Sequence, residues 1–178
     1  MTANQSSPLI LRDPTPADEN QTIQADAELA VDGFNFSLRY PEHSWTDYLE
    51  KVSRDREGRD LPPGRVSATM LFAFVGRDLV GRVHIRHALT PELLAVGGHI
   101  GYGVRPAHRG NGYATAMLTH GLDVLRERGL ARALVTCDEV NRASQRTIER
   151  CAGVLENTVE TGDGIPKRRY WIDLAPRA

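Results

Sequence analysis

The stretch Val104-Arg105-Pro106-Ala107-His108-Arg109-Gly110-Asn111-Gly112-Tyr113-Ala114 decides the reading of this chain. Ahead of it, Gly98 to Val104 is a short strand. Behind it a helix is expected from about Gly110 to Arg128, with Ala114, Met117, Leu118, Leu122 and Leu125 at spacings of three and four and Gly129 as its stop. A strand thus runs through a basic, glycine-rich turn into an amphipathic helix. Glycines let the backbone approach a ligand and adopt dihedrals closed to other residues. The first N–H groups of a helix lack internal partners and carry the positive end of its dipole, so an anionic phosphate fits there. Arg105, His108 and Arg109 add positive or polar groups. The turn lacks the Lys-Ser/Thr of a P-loop and the third glycine of the dinucleotide fingerprint. A plain strand-to-helix turn with solvated arginines accounts for the same residues.

Working outward, Leu9-Ile10-Leu11 reads as a first strand, Pro16 to Val31 as a helix, and Ser44 to Arg56 as a second helix capped by Ser44, with Trp45, Tyr48, Leu49 and Val52 on one face. Ala68 to Val75 is almost continuously apolar, as in a strand covered on both faces, and Leu79 to His87 is its hairpin partner. Past the glycine-rich segment come a strand at Ala131–Cys137, a helix at Asn141–Cys151 and strands at Val154–Thr158 and Arg169–Leu174. The pattern is α/β of the α+β type: a mixed, mostly antiparallel sheet of about six to seven strands with about four helices. The unit from Gly98 to Cys137 reads as a right-handed parallel crossover.

The bulk features narrow the classes. The 178 residues, 40% hydrophobic and 25% charged, suit one domain at 9–178 behind a disordered tail at 1–8. With 22 Lys+Arg against 23 Asp+Glu, a strongly basic nucleic-acid binder is excluded. No apolar run approaches the ~18 residues of a membrane span, and Met1 to Pro8 lacks a signal-peptide core. The expectation is a cytoplasmic protein, without membrane or nucleic-acid partner, whose Cys137 and Cys151 are free thiols. No metal is expected: His84 and His87 resemble a ligand pair, but three apart on a strand they point to opposite faces.

The segment Arg109-Gly110-Asn111-Gly112-Tyr113-Ala114 resembles the Arg/Gln-x-x-Gly-x-Gly/Ala signature of the GNAT N-acetyltransferases. Ile100-Gly101-Tyr102 before it and Asn141-x-x-Ser144 after it, with Arg146 and Glu149 downstream, are similar to the ribosomal-protein N-acetyltransferase branch. The likeness spans about residues 9–174. It implies a sheet splayed between the fourth and fifth strands, with acetyl-CoA as co-substrate. The pyrophosphate would lie on the backbone of Arg109, Gly110, Asn111, Gly112, Tyr113 and Ala114. Pantetheine would lie along Tyr102, Gly103 and Val104, with contacts from Asn141 and Ser144. The implied activity is direct transfer of acetyl to a primary amine in a ternary complex, by a monomer or homodimer. A non-catalytic acyl-CoA-binding or sensor module is the alternative.

The chemistry asks for a base to take a proton from the amine, and an acid may protonate the departing thiolate. His99, on the motif strand where relatives often carry Glu, is one candidate base; Glu139, in the loop before Asn141, is another, and Asp138 a weaker one. The family's Tyr seven residues after the Asn is replaced by Ile148, which leaves Tyr102 or Tyr170 to act as acid. Ala116 also departs from the ribosomal-protein branch, where Glu is common. Cys137 and Cys151 read as buried, inert thiols. The acceptor pocket falls at Trp45–Arg59 and Leu61-Pro62-Pro63-Gly64. There Asp47, Glu50, Asp55, Glu57 and Asp60 would suit a cationic amine, though a solvated helix face is the favoured account of the same charges. His84, Arg86 and His87 read as ordinary strand polars.

Overall fold

Thirteen residues, Trp45–Glu57, show how local chemistry writes this fold. Ser44 precedes them in extended conformation; its Oγ accepts the Asp47 N–H (3.1 Å) and its own N–H donates to Asp47 Oδ2 (3.0 Å), a reciprocal capping box. Gly58, at φ 69°, closes the other end. Between them Trp45, Tyr48 and Val52 are buried. Ser44→Ala should cost about 1 kcal/mol, read as a lower urea midpoint with an unchanged slope.

A computed structural model describes residues 7–162 and 164–174. Strands and helices follow as β1 (Leu9–Arg12), α1 (Glu19–Ala30), α2 (Trp45–Glu57), β2 (Ala68–Val75), β3 (Asp78–Arg86), β4 (Ile100–Val104), α3 (Tyr113–Glu127), β5 (Arg132–Asp138), α4 (Arg142–Arg150), β6 (Val154–Val159) and β7 (Lys167–Asp173). Apart from Ser7 and Pro8, the expected tail at 1–8 lies outside the described residues. Three short turns accompany these elements: 3-10 turns at Pro16–Asp18 and Pro106–His108, and a π-turn at Leu93–Gly97, where only a loop was expected.

The strands form two sheets, β1-β2-β3-β4 and β5-β7-β6, with every ladder antiparallel. The expected splay between the fourth and fifth strands is present. The expected crossover is corrected in one respect: β4 and β5, joined through α3, share no ladder. The apolar run of β2 is buried on both faces. Leu71 and Ala73 join a core with Val83, Ile85, Ile100, Met117, Leu118 and Leu122 under α3. Met70, Phe72 and Phe74 join a second core with Ala25, Leu29, Trp45, Tyr48 and Val52 under α1 and α2. The first core also takes in Ala133, Val135, Ile148 and Tyr170, so α3 and α4 bind the two sheets together across the gap.

Candidate active site

β4 and β5 are tied at the apex of a fork. The His99 N–H donates to the Leu134 carbonyl (2.7 Å), and the Leu134 N–H donates to His99 Nδ1 (2.9 Å). The imidazole therefore stands in for a strand carbonyl. Just before it, Gly98 has φ +65°, and a Cβ there would lie 2.8 Å from the Leu134 oxygen, so only glycine fits this close approach. His99 is 5% exposed. Burial, and then the charge of Arg86, push its pKa below the ordinary value. A ring nitrogen that accepts an N–H is unprotonated, so the neutral ring carries its proton on Nε2.

Beyond the apex the gap is lined by backbone. The Arg105 N–H bonds Val80 O (2.9 Å). By the alternation of an antiparallel ladder, Gly101 and Gly103 face β3, while the N–H and C=O groups of Tyr102 and Val104 face the gap. The Val104 carbonyl accepts Arg109 Nε (3.2 Å). Across the gap the Tyr102 hydroxyl meets Ser144 Oγ at 2.9 Å, and the Ser144 N–H is held by the Asn141 Oδ1 that caps α4 (3.0 Å). Burial raises the Tyr102 phenol above its ordinary pKa. It also pushes the neighbouring Cys137 thiol up to about 11, so this sulfur is protonated and inert at neutral pH.

The glycine-rich turn ends at the open tip of the fork. Gly110 and Gly112 have φ +83° and +80°, so the helix starts at Tyr113, three residues later than expected. Gly112, as the N-cap, supplies no side chain, and the first N–H groups of α3 have no side-chain cap. Asn111 Nδ2 fixes the turn by donating to His108 O (3.0 Å). Two of the positive groups expected at this turn are ion-paired. Arg105 is tied to Glu28 (2.6 and 2.8 Å) and Arg109 to Asp32 (2.6 Å), both carboxylates from α1 and the turn after it. Both arginines are thus engaged, while the N–H groups that open α3 have no side-chain cap.

Asn141, Ser144 and Tyr102 are brought together, with His99 at the apex. Glu139 sits between β5 and α4; its carbonyl accepts Gln145 Nε2 (2.5 Å) and its half-exposed carboxylate lies 3.6 Å from Arg168. Ile148 is fully buried core. Among the described residues, no three His, Cys, Asp or Glu side chains group as metal ligands, and no helix is long and apolar enough to cross a membrane.

Residues of the Trp45–Arg59 segment and the Pro62-Pro63-Gly64 loop, where a pocket was expected, line a cavity of about 970 Å³ on the α2 side of β2 and β3; sequence reasoning missed the wall that β3 adds to it. His84 and Arg86 line it and Arg82, 4% exposed, lies on the same strand face. A signal existed. Three polar residues alternate along a strand whose partner is almost continuously apolar, and such a strand needs a polar cover on that face.

Several solved structures share the fold. An acetyltransferase of Salmonella typhimurium that modifies the N-terminal serine of the 50S ribosomal subunit protein L7/L12 is 17% identical, with a TM-score of 0.68 over 96% of this chain and 96% of that one. The microcin C7 self-immunity acetyltransferase MccE, in complex with acetyl-CoA and AMP, is 17% identical, with a TM-score of 0.68 over 96% and 93%. An N-acetyltransferase from Staphylococcus aureus Mu50 is 14% identical, with a TM-score of 0.65 over 94% and 99%. No curated protein matches the chain in sequence. The sequence model of the acetyltransferase (GNAT) domain matches residues 8–153, most of the chain, and the protein belongs to that family.

Proposed function

We propose that this protein moves the acetyl group of acetyl-CoA directly to a primary amine in a ternary complex. The observation that carries the reading is the fork, whose gap is lined by the backbone of Tyr102 and Val104 and ends at the uncapped start of α3. In this proposal the N–H groups from Gly110 to Ala114, with Arg109, hold the pyrophosphate, and pantetheine fills the gap along Tyr102, Gly103 and Val104 against Asn141 and Ser144. MccE, of like fold, was solved with acetyl-CoA, which supports this cofactor. The setting we propose is the cytoplasm, where the unpaired Cys137 and Cys151 stay reduced.

The amine nitrogen attacks the thioester carbon; the N–C bond forms and the C–S bond breaks. A backbone N–H facing the gap stabilises the oxyanion between these events. Of the two candidate bases, His99 has its acceptor nitrogen engaged by Leu134, whereas Glu139 presents a half-exposed carboxylate. We therefore assign the amine proton to Glu139, and to His99 the positioning of the apex. Tyr102, kept protonated by its raised pKa, donates a hydrogen bond to the leaving sulfur. The proton taken by Glu139 finally neutralises the thiolate through water.

The test is release of CoA thiol over a panel of amines, beside thermal shift with acetyl-CoA. Glu139→Gln should lower kcat about 100-fold with the acetyl-CoA shift unchanged; an unaltered kcat would remove Glu139 from the role. The alternative of a non-catalytic acyl-CoA sensor draws on the loss of a hydroxyl at Ile148. It predicts a thermal shift with no thiol released from any amine.

A further inference from the structure

The cavity on the α2 side reaches the apex of the fork. Val96 and Gly97 form part of its wall. The Arg86 guanidinium, also in the wall, donates to the carbonyls of Gly97 (3.2 Å) and Gly98 (3.1 Å). At about 970 Å³ it lies at the upper end of small-molecule sites.

Its charge is opposite to what the acidic residues of the sequence suggest. Arg39, Lys51, Arg54, Arg59, Arg65 and Arg86 line it, against Asp55, Asp60 and Glu92. Asp55 holds Lys51, and Glu57 pairs with Arg59 outside the cavity lining. Asp60 and Glu92 are exposed. Asp47 is turned away into the cap of α2.

Three arginines in the wall are held by neutral groups, unlike the ion-paired arginines of the surface. Arg12, Arg56, Arg105, Arg109, Arg168 and Arg169 each meet a carboxylate. Arg39 donates instead to His43 O (2.7 Å), Arg65 to the Tyr40 hydroxyl (3.0 Å) and Arg86 to two backbone carbonyls. None of these three has an ion-pair partner among the described residues. A guanidinium carries five N–H donors, so each keeps donors in reserve. Three further polar atoms of the wall have no hydrogen-bond partner among the described residues: the hydroxyl of Tyr48, which is 2% exposed, His43 Nδ1 and His84 Nδ1. Burial, and then the charges of Arg86, Arg82 and Lys51, hold the His84 ring neutral. Unmatched positive charge with reserve donors repels an ammonium and draws in a carboxylate or phosphate.

We propose that the acceptor is a small amine bearing its own anion, with a carboxylate or phosphate seated against Arg65 and Arg86. Because Arg86 is bonded at the apex itself, the anion and the amine are only a few bonds apart, as in an α-amino acid or an aminoalkyl phosphate. This inference rests on the acetyl-transfer reading of the fork.

The experiment compares matched amines in the thiol-release assay on the full chain: L-amino acids against their amides, O-phosphoethanolamine against ethanolamine, and spermidine as a cation. The anionic member of one pair should show at least a tenfold higher kcat/KM, and the pair that does so tells carboxylate from phosphate. Arg65, exposed at the wall, is replaceable without loss of fold. Arg65→Gln should shrink that ratio to below threefold, and Arg65→Lys should retain much of it. Preference for spermidine, or equal use of both members of every pair, overturns the proposal and leaves acetyl transfer standing. Calorimetric binding of the same compounds separates the remaining cases. Anionic amines that bind without turnover sink the transfer reading and uphold the anion site. No binding by any of them overturns the anion site.

Discussion

Gly98→Ala should destabilise the protein by about 3 kcal/mol and weaken acetyl-CoA binding at least tenfold. Two terms add. The backbone at φ 65° and ψ −177° lies in a region almost confined to glycine and costs an L-residue roughly 1–3 kcal/mol. The new Cβ, 2.8 Å from the Leu134 oxygen, also forces apart the pair of bonds that closes the apex, at about 1 kcal/mol each. For a chain of this length that is a fall in Tm of roughly 6–12 °C. Gly110→Ala is the control. It also has a positive φ, +83°, but nothing lies within 4 Å of its Cβ, so only a backbone term applies. Equal losses for the two variants would show that the Leu134 contact contributes nothing. The same apex tests His99. His99→Ala leaves a buried Leu134 N–H unpaired, and His99→Asn, which offers an oxygen, should restore most of the lost stability. Because His99 positions rather than accepts the proton, the pH–rate profile of His99→Asn should keep its limbs while KM for acetyl-CoA changes. A shifted acid limb would return His99 to the role of base.

Lowering the pH from 7.5 to 5 should remove most of the stability of the fold. Three histidines are held neutral in the native state. His84 is shifted by burial and then by Arg86, Arg82 and Lys51. His99 is shifted by burial and then by Arg86. His87 is pushed down to about 4 by burial and then by Arg128 and Arg56, with both ring nitrogens bonded, to Thr69 Oγ1 and Ser67 Oγ. The sign is fixed by proton counting. Below the ordinary value of about 6.5 the unfolded chain binds protons that the native chain refuses, so stability falls with pH through that value and on down to the native pKa. Each such histidine adds up to about 1.4 kcal/mol per pH unit. The lowered carboxyls of Asp18 and Glu28 act in the same direction, but only below the carboxylate range, so the window from 6.5 to 4 belongs to the histidines. Urea midpoints at pH 7.5, 6 and 5 check this; a midpoint constant over that range would contradict it. His87→Gln should flatten the slope.

The elements were legible because their signals are local. The α2 cap, the apolar run of β2, the periodicity of α3 and the stop at Gly129 each lie within a few residues of the structure they specify. The fork was legible only through resemblance, since two strands that fail to pair leave no pattern in either one. The start of α3 was misplaced because Gly110 and Gly112 continue the helical spacing while their positive φ forbids the helix. At the site, Asn141, Ser144 and Tyr102 meet as the motif order suggested. The partners of Arg105 and Arg109 lie 77 residues away in and after α1, and nothing near either arginine announces them. The basic character of the cavity was hidden for the same reason. Its acids are adjacent in sequence and draw the eye, whereas Arg39, Arg65 and Arg86 come from three separate segments.

The two sheets, which share no strand ladder, also set an order of assembly during synthesis. All four strands of the first sheet lie before residue 105, and α1 and α2, which cover one of its faces, precede β2 and β3. When β4 leaves the ribosome, that sheet can form with its α2 side already sheltered. Its other face, carrying Leu71, Val83, Ile85 and Ile100, waits for α3 and is completed only by β5 and β7. The nascent chain therefore passes through a stage in which one half is built and its apolar back is bare. It is at this stage, rather than in the finished enzyme, that a chaperone has most to hold.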